Sequence, residues 1–418
     1  MNYNGYIGII ILIKLFNTKD NSSFLNLLPR QGEMNMITLL KTKKALIILL
    51  SVLLLITFSA CAGEKIKDNN DKGGGDIVSE GDTNLPGKNN ENIEEETPEP
   101  TPESTPTPTP IDLEVVKPNE AGKIMIVMFH NFVETFTPTT YDNGEYTTTF
   151  EEFEKLLHEL YEMDYRLISM NDYLNNNISV PAGCIPMVFT FDDGTSGQFN
   201  LVEENGQLVA NKKSAVGIIE EFNKTYPDFG VEGTFYLNLG NNTFQGEGTL
   251  EERLQYLVDR GFEIGNHTYT HANLKNLKTA AEIQEQIGKN QKEVFQLVSD
   301  YKMTSFSLPF GIWPEQDLRQ YVYGGTYDGI EYENKGILEV GWSPALSPVS
   351  KNLDLSSIQR VRASGINPVD ADLAWWLKNL SREEQYVSDG NANTVAVPES
   401  LVENVDLDKL DGKELITY

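Results

Sequence analysis

Phe189-Thr190-Phe191-Asp192-Asp193-Gly194 is the stretch on which the reading of this chain turns. The residues leading into it, Ile185-Pro186-Met187-Val188-Phe189, are apolar and β-prone, and they predict a short buried strand. That strand delivers two adjacent carboxylates and a glycine. Carboxylates at the C-terminal end of a strand, with a glycine to turn the backbone, are a common way to build an active site on a barrel. Taken alone, Asp192-Asp193-Gly194 reads first as an ordinary turn. A second stretch changes the balance. Glu263-Ile264-Gly265-Asn266-His267-Thr268-Tyr269-Thr270-His271 holds two of only four histidines, spaced i and i+4. One Asp and two His make a facial metal set that leaves positions open for water and substrate.

Together the two stretches resemble the polysaccharide deacetylases, the NodB-homology carbohydrate esterases of family 4. The family's T-F-D-D-G motif is matched by Thr190 to Gly194, and its H-[ST]-x-x-H motif by His267, Thr268 and His271. The resemblance runs over roughly residues 123–362. It implies an α/β fold, an irregular (β/α) barrel of the NodB-homology type with fewer than eight full units. It also implies one divalent cation held by Asp193, His267 and His271, which acidifies a water and polarises the acyl oxygen. Zinc suits such a donor set, with cobalt and nickel left open. Asp192, beside the ligands but not one of them, is the implied general base. The backbone N–H of Phe310, in Pro309-Phe310-Gly311, is the implied oxyanion donor.

The general acid of most of the family is a C-terminal His in an L-x-H motif, and no histidine follows His271 here. The branch resembling the poly-N-acetylglucosamine deacetylases moves that motif to the start of the domain. Val127-Met128-Phe129-His130 fits the moved version, so His130 is expected as the acid; otherwise it is a structural histidine ending a strand. An Asp base and a His acid predict a bell-shaped dependence of rate on pH. The third motif, R-x-P-[YF], lines up with Ser307-Leu308-Pro309-Phe310, so a serine stands where the base-orienting Arg belongs. Arg360 and Arg362, in Ile358-Gln359-Arg360-Val361-Arg362, could share one face of a strand. One of them, Arg360 by preference, is expected to replace the missing guanidinium, the alternative being two surface arginines. The Asp and Trp of the fourth motif are not clearly present. Trp342 and Pro309 are expected to line the sugar site.

The chain has 418 residues and a formal charge of −29, which argues against nucleic acid as a partner. Residues 1–35 carry neither a targeting nor a domain pattern, and Met34 or Met36 is the expected start. Residues 36–60 read as a lipoprotein signal peptide. Basic Lys41-Thr42-Lys43-Lys44 precedes apolar Ala45 to Phe58, and Ser59-Ala60 leads to Cys61. Lipid on Cys61 would place the protein on the extracellular face of the membrane; a transmembrane anchor is the alternative, although the run is short for one. The second cysteine, Cys184, reads as a small apolar residue near a strand, so no structural disulfide is expected. Residues 61–112 are rich in Asn, Gly, Glu, Thr and Pro and too polar to fold. The Thr-Pro and Glu-Pro repeats from Thr97 to Pro110 favour polyproline II, a semi-rigid spacer of roughly 40 Å that would hold a domain out into the cell wall.

Residues 113–366 are the expected deacetylase domain. Strand patterns fall at Ile124 to Phe129, Gly233 to Leu239, Phe262 to Ile264, Thr304 to Leu308 and Ile337 to Val340. Capping boxes at Thr149/Glu152, Thr249/Glu252 and Thr279/Glu282 open three helices, and a further helix is read around Ala215 to Phe222. The first helix has Phe153, Leu156, Leu157, Leu160 and Tyr161 on one face, with His158 at its edge. Asn205-Gly206 marks a hairpin tip. This alternation points to a parallel α/β fold. Residues 367–418 are read as an extension, an amphipathic piece at Leu373 to Leu380 followed by an acidic tail, with no role assigned.

Three functions compete. One is removal of acetyl groups from an N-acetylglucosamine polymer, with O-acetyl xylan as another substrate. The second is a weakly active or inactive carbohydrate-binding surface lipoprotein, favoured by Ser307. The third is a structural lipoprotein stabilised by metal. The retained Asp192 argues against the last two, because neither needs a base beside the metal ligands.

Overall fold

Alternating short strands and amphipathic helices close on themselves in the computed structural model, which describes residues 111–139 and 142–418. The signal peptide, Cys61 and all of the spacer except Ile111 and Asp112 lie outside the described residues. In chain order the strands are β1 (Met125–Phe129), β2 (Asn131–Val133), β3 (Thr147–Thr149), β4 (Tyr165–Leu167), β5 (Ile185–Asp192), β6 (Leu201–Glu204) and β7 (Gln207–Ala210). They continue with β8 (Thr234–Leu237), β9 (Glu263–Asn266), β10 (Ser305–Ser307), β11 (Gly324–Tyr327), β12 (Ile330–Glu333) and β13 (Gly336–Leu338). The last are β14 (Val361–Arg362), β15 (Thr394–Val397) and β16 (Glu414–Thr417). An eight-stranded sheet runs β13-β10-β9-β8-β5-β1-β14, with β4 also paired to β5, and every pairing in it is parallel.

The sheet curls until its edges nearly meet. Val361 of β14 pairs with Val127 of β1, while Ile358, three residues earlier, bridges to Leu338 of β13. Residues 358–362 therefore span the gap between the first strand and the last. This is an irregular (β/α) barrel with fewer than eight full units, the architecture the sequence implies.

Burial on both faces explains the continuous apolar runs in the strands. Phe189 and Phe191 face the helices, where they join a network of rings with Phe129, Phe153 and Phe235; Phe191 stacks on Phe235 at 4.6 Å. Their alternates, Val188, Thr190 and Asp192, face the barrel interior, where Val188 packs with Ile126, Tyr236, Leu338 and Ile358. Three helices begin at the anticipated capping boxes, Phe150–Glu162, Leu250–Asp259 and Ala280–Leu297, and each reciprocal bond is present. The helix Ala215–Thr225 extends three residues beyond its expected end. β6 and β7 form the hairpin, with Asn205 and Gly206 at φ 53° and 78°, as its two-residue turn requires. Cys184 is buried, and His158 is exposed with its ring against Phe222 and Tyr226.

Residues 367–418 correct the expectation of an acidic tail. The segment is folded, and two of its carboxylates, Asp372 and Asp389, are buried. After the helix Leu373–Asn379 the chain returns to the start of β1, with Val387 bridged to Asn119 and Gln385 to Lys123. The β15–β16 pair follows, and Glu120 accepts from the Ala396 N–H at 2.8 Å. The approach is close enough that a Cβ on Gly122 would lie 2.2 Å from the Gln385 carbonyl oxygen. Backbone pairing with residues far back in the chain fixes this segment, and hydrophobic periodicity carries no record of that.

Candidate active site

Five strand ends meet at the C-terminal mouth of the barrel. β5 ends on Asp192, which alternation turns inward and which is 1% exposed. Arg360, from the segment that closes the barrel, is fully buried and clasps it with two bonds. Nη1 donates to Oδ1 at 2.8 Å and Nη2 to Oδ2 at 2.8 Å. The remaining guanidinium bonds go from Nε to the Glu339 carbonyl at 2.9 Å, from Nη2 to Ser307 Oγ at 2.8 Å and from Nη1 to Thr190 Oγ1 at 3.2 Å. Ser307 in turn donates to Asp192 Oδ2 at 3.1 Å. Forked geometry of this kind is the strong form of a carboxylate pair. Burial alone would raise the Asp192 carboxyl; the charge and hydrogen bonds of Arg360 outweigh it and hold the group well below the usual carboxylate range.

Ser307 thus takes a part in the site that the sequence reading missed. It stands where the resemblance predicts Arg, and the guanidinium reaches the same carboxylate from the barrel-closing segment, against the serine hydroxyl. Arg362 behaves differently. Its Nη1 lies 3.5 Å from Glu145 Oε2 and its guanidinium is 4.6 Å above the Tyr146 ring.

Asp193, His267 and His271 form a group whose ligand atoms all lie within 4.8 Å of one another. Asp193 Oδ1 is 3.7 Å from His267 Nε2 and 3.6 Å from His271 Nε2. His267 Nδ1 is 2.7 Å from the Ser307 carbonyl, which makes Nδ1 the protonated nitrogen and leaves the Nε2 lone pair aimed at Asp193. Burial pushes the His271 imidazole down toward its neutral, ligating form. Two neutral imidazole nitrogens converging on one carboxylate fit a divalent cation.

The backbone here is held in an unusual state. Asp193, Thr268, His271 and Phe310 all have positive φ, at 82°, 62°, 55° and 61°. For β-branched Thr268 that is a real outlier, and it persists because the surroundings over-determine it. Its N–H donates to Asn266 Oδ1 at 3.0 Å, its carbonyl accepts from Asn238 at 2.9 Å, and its hydroxyl accepts from the Ala272 N–H at 2.9 Å. Asn290 braces the same region, donating to the Leu237 carbonyl at 2.7 Å and to Asn266 Oδ1 at 3.1 Å. Asn290 is not legible in the sequence, because an Asn inside a helix pattern looks like any polar residue.

His130 follows β1 on the inward face. Its ring meets Tyr146 edge-on at 5.2 Å, and its Nδ1 is buried without a hydrogen-bond partner among the described residues. Burial lowers its pKa, and the charges of Asp192 and Asp193 pull against that. Gln198, also unanticipated, donates to the His130 carbonyl at 2.6 Å and to the Asp192 carbonyl, tying the two strand ends together.

Phe310 is 56% exposed and its ring stands 4.4 Å from that of His271. Pro309, the other residue expected to line the sugar site, is buried. Trp342 is 71% exposed and lies just past β13; its carbonyl accepts from Trp376 Nε1 at 2.9 Å.

The arrangement is a parallel α/β barrel with a carboxylate–guanidinium pair and an Asp/His/His set at its C-terminal mouth. Residues 180–323 match the family model described as polysaccharide deacetylase. Among solved structures, Streptococcus pyogenes deacetylase PplD in complex with acetate is similar at 14% identity, over 62% of this chain and 98% of that one, with a TM-score of 0.46. A polysaccharide deacetylase from Bacillus cereus is similar at 16% identity, over 62% and 69%, with a TM-score of 0.44. A de-N-acetylase from Aggregatibacter actinomycetemcomitans is similar at 12% identity, over 62% and 100%, with a TM-score of 0.39. No curated protein matches the chain.

Proposed function

We propose that this chain hydrolyses acetyl groups from an N-acetylglucosamine-containing cell-surface polysaccharide, releasing acetate and leaving a free amine. The observation that carries the reading is the forked Arg360–Asp192 pair beside the Asp193/His267/His271 set. A buried carboxylate kept ionised next to a cation site is what a general base requires. A purely binding or structural protein has no use for it. The weakly active reading was motivated by Ser307, and Arg360 supplies the guanidinium that Ser307 lacks.

A divalent cation bound by Asp193, His267 and His271 would supply Lewis acidity to the acyl oxygen and the attacking water. Zinc suits the donors, with cobalt or nickel as alternatives. Asp192 takes the proton of the attacking water while Arg360 and Ser307 hold its oxygens in place. The Phe310 N–H, in the first turn of a helical piece and so without an intrahelical acceptor, donates to the developing oxyanion. His130 gives a proton to the leaving nitrogen, and Trp342 offers a face to the sugar.

Acetate release from peptidoglycan, poly-N-acetylglucosamine, chitin fragments and acetylated xylan tests the reading. Release from the N-acetylated glycans is expected. Release from xylan alone would make the protein an O-acetyl esterase, and none from any glycan would end the hydrolase reading. Metal analysis of the purified protein should give near one equivalent of divalent cation. Replacing His267 and His271 together by Ala should abolish it; an unchanged content would reject the site.

The same reading places the protein on the outer face of the membrane, held by lipid on Cys61 and reaching the wall through its Thr-Pro spacer. Its support is the basic, apolar, small-residue order before Cys61. Labelled palmitate should enter the wild type and not Cys61→Ser. Equal labelling of the two would show that Cys61 is not the anchor.

A further inference from the structure

A groove of about 600 Å³ opens beside His130, within the size range of small-molecule sites. It runs along β2 and between two loops. One loop joins β2 to β3 over residues 134–146 and has no helix or strand among its described residues. A connection of that length is uncommon in a compact domain unless it has a use. The other is the turn Thr195–Gly197, which directly follows Asp193 and Gly194. Groove and catalytic mouth are one piece of structure. Thr195 Oγ1 donates to the His130 carbonyl at 3.4 Å, and Gln198 joins the same carbonyl to that of Asp192.

The lining has a definite chemistry. Asn131 offers an amide, Thr135, Thr137, Thr195 and Ser196 offer hydroxyls, and Phe136 offers an aromatic ring. The side chains of Asn131, Thr135, Thr137 and Ser196 make no hydrogen bond to other described residues, so their polar groups are open to a ligand. Asp142, the carboxylate at the rim, is already engaged: Oδ1 accepts from the Gly144 N–H at 2.7 Å and the Tyr146 N–H at 3.3 Å, and Oδ2 from the Thr147 hydroxyl. The groove therefore presents neutral donors and acceptors around one aromatic surface. A pyranose is complementary to that, with hydroxyls around its edge and C–H groups on its face. A phosphate or a cation is not, because no free charge meets it.

We infer that this groove is a saccharide subsite, which binds neutral sugar units adjoining the one whose acetyl group is removed. The inference rests on the proposed deacetylase reading and adds that the substrate is recognised as a polymer, from the β1 and β5 side of the mouth. Phe310 and Trp342 belong to the β10 and β13 side.

The test is Ser196→Trp, which fills the groove from an exposed position whose side chain has no structural bond, with Phe136→Leu as a second variant. Binding of N-acetylglucosamine oligomers of increasing length is measured by calorimetry, alongside acetate release from the same oligomers and hydrolysis of a simple aryl acetate too small to reach the groove. In the wild type, affinity should rise with length. Ser196→Trp should weaken binding of the longer oligomers by about tenfold or more, ~1.4 kcal/mol, and flatten the length dependence of kcat/KM, leaving the aryl acetate rate unchanged. Phe136→Leu should do the same to a smaller extent. Affinity without length dependence in the wild type, or unchanged binding in Ser196→Trp, overturns the subsite even if acetate is released. Weakened oligomer binding in Ser196→Trp with no acetate from any substrate upholds the subsite and ends the deacetylase reading.

Discussion

Replacing Arg360 by Leu is expected to cost the protein about 3–5 kcal/mol of stability, the usual result of breaking a buried ion pair from one side. The turnover of any glycan substrate should fall by about 10²-fold or more, because the base loses the fork that aims it. Metal content should not change, since Arg360 touches no ligand of the proposed set. The sign of the pH effect is the sharper test. In the wild type the Asp192 pKa lies below its unfolded value of ~3.9. Its contribution to stability is thus fully present above that value and is lost only as pH falls through the lower, folded value. In Arg360→Leu, burial is the dominant influence left, and it raises the carboxyl. The group then favours the folded state at low pH, and this help is lost as pH rises through the raised pKa. Urea unfolding between about pH 4 and pH 8 should show the variant's deficit shrinking toward the acid end. A constant deficit across that range would mean that Asp192 stays ionised without Arg360.

Asp192→Asn and His130→Ala should each lower hydrolysis of an N-acetylated oligosaccharide by about 10²–10⁴-fold, the worth of general acid–base help. Both should keep their metal. On an aryl acetate, His130→Ala should lose much less, because an aryloxide leaves without a proton and an amide nitrogen does not. The environment of Asp192 also modifies the expected bell-shaped profile. With its carboxyl held so far down, the acid limb falls below the working range. The burial that lowers His130 moves the alkaline limb toward acid. The rate should therefore show one visible limb, falling as pH rises and displaced to the acid side of ~6.5, the ordinary histidine value. Near wild-type amide hydrolysis by His130→Ala would return that residue to a structural role. The same result for Asp192→Asn would undo the mechanism.

Much of this site could be read before any coordinates because its parts are local. The Asp192–Asp193 pair sits at one strand end and His267 and His271 in one loop, so each geometry follows from a few consecutive residues. The helix starts at Thr149, Thr249 and Thr279 were legible for the same reason: a capping box is complete within four residues. Arg360 is the contrary case. It lies just before a strand of two residues, and its bonds go to Thr190 and Asp192 of β5, Ser307 of β10 and the Glu339 carbonyl, all far from it in sequence. Gln198 is not legible in the sequence because its bonds go to backbone carbonyls, which have no residue signature. The end of the chain reads as an acidic tail because the pairings of Val387 with Asn119 and Gln385 with Lys123 leave no periodic pattern.

The barrel-closing segment also sets the order in which the protein becomes competent. The base and the group that aims it are 168 positions apart in the chain. Loop-closure entropy makes such non-local pairings slow to form. As synthesis proceeds from the N-terminus, the Asp/His/His set is complete once His271 has emerged, long before Arg360 exists. Any intermediate with that much chain can gather the proposed cation ligands, but it cannot keep Asp192 charged and buried. Final docking of residues 358–362 is therefore the event that turns a collected set of ligands into a poised base, and competence arrives with the last strand of the barrel.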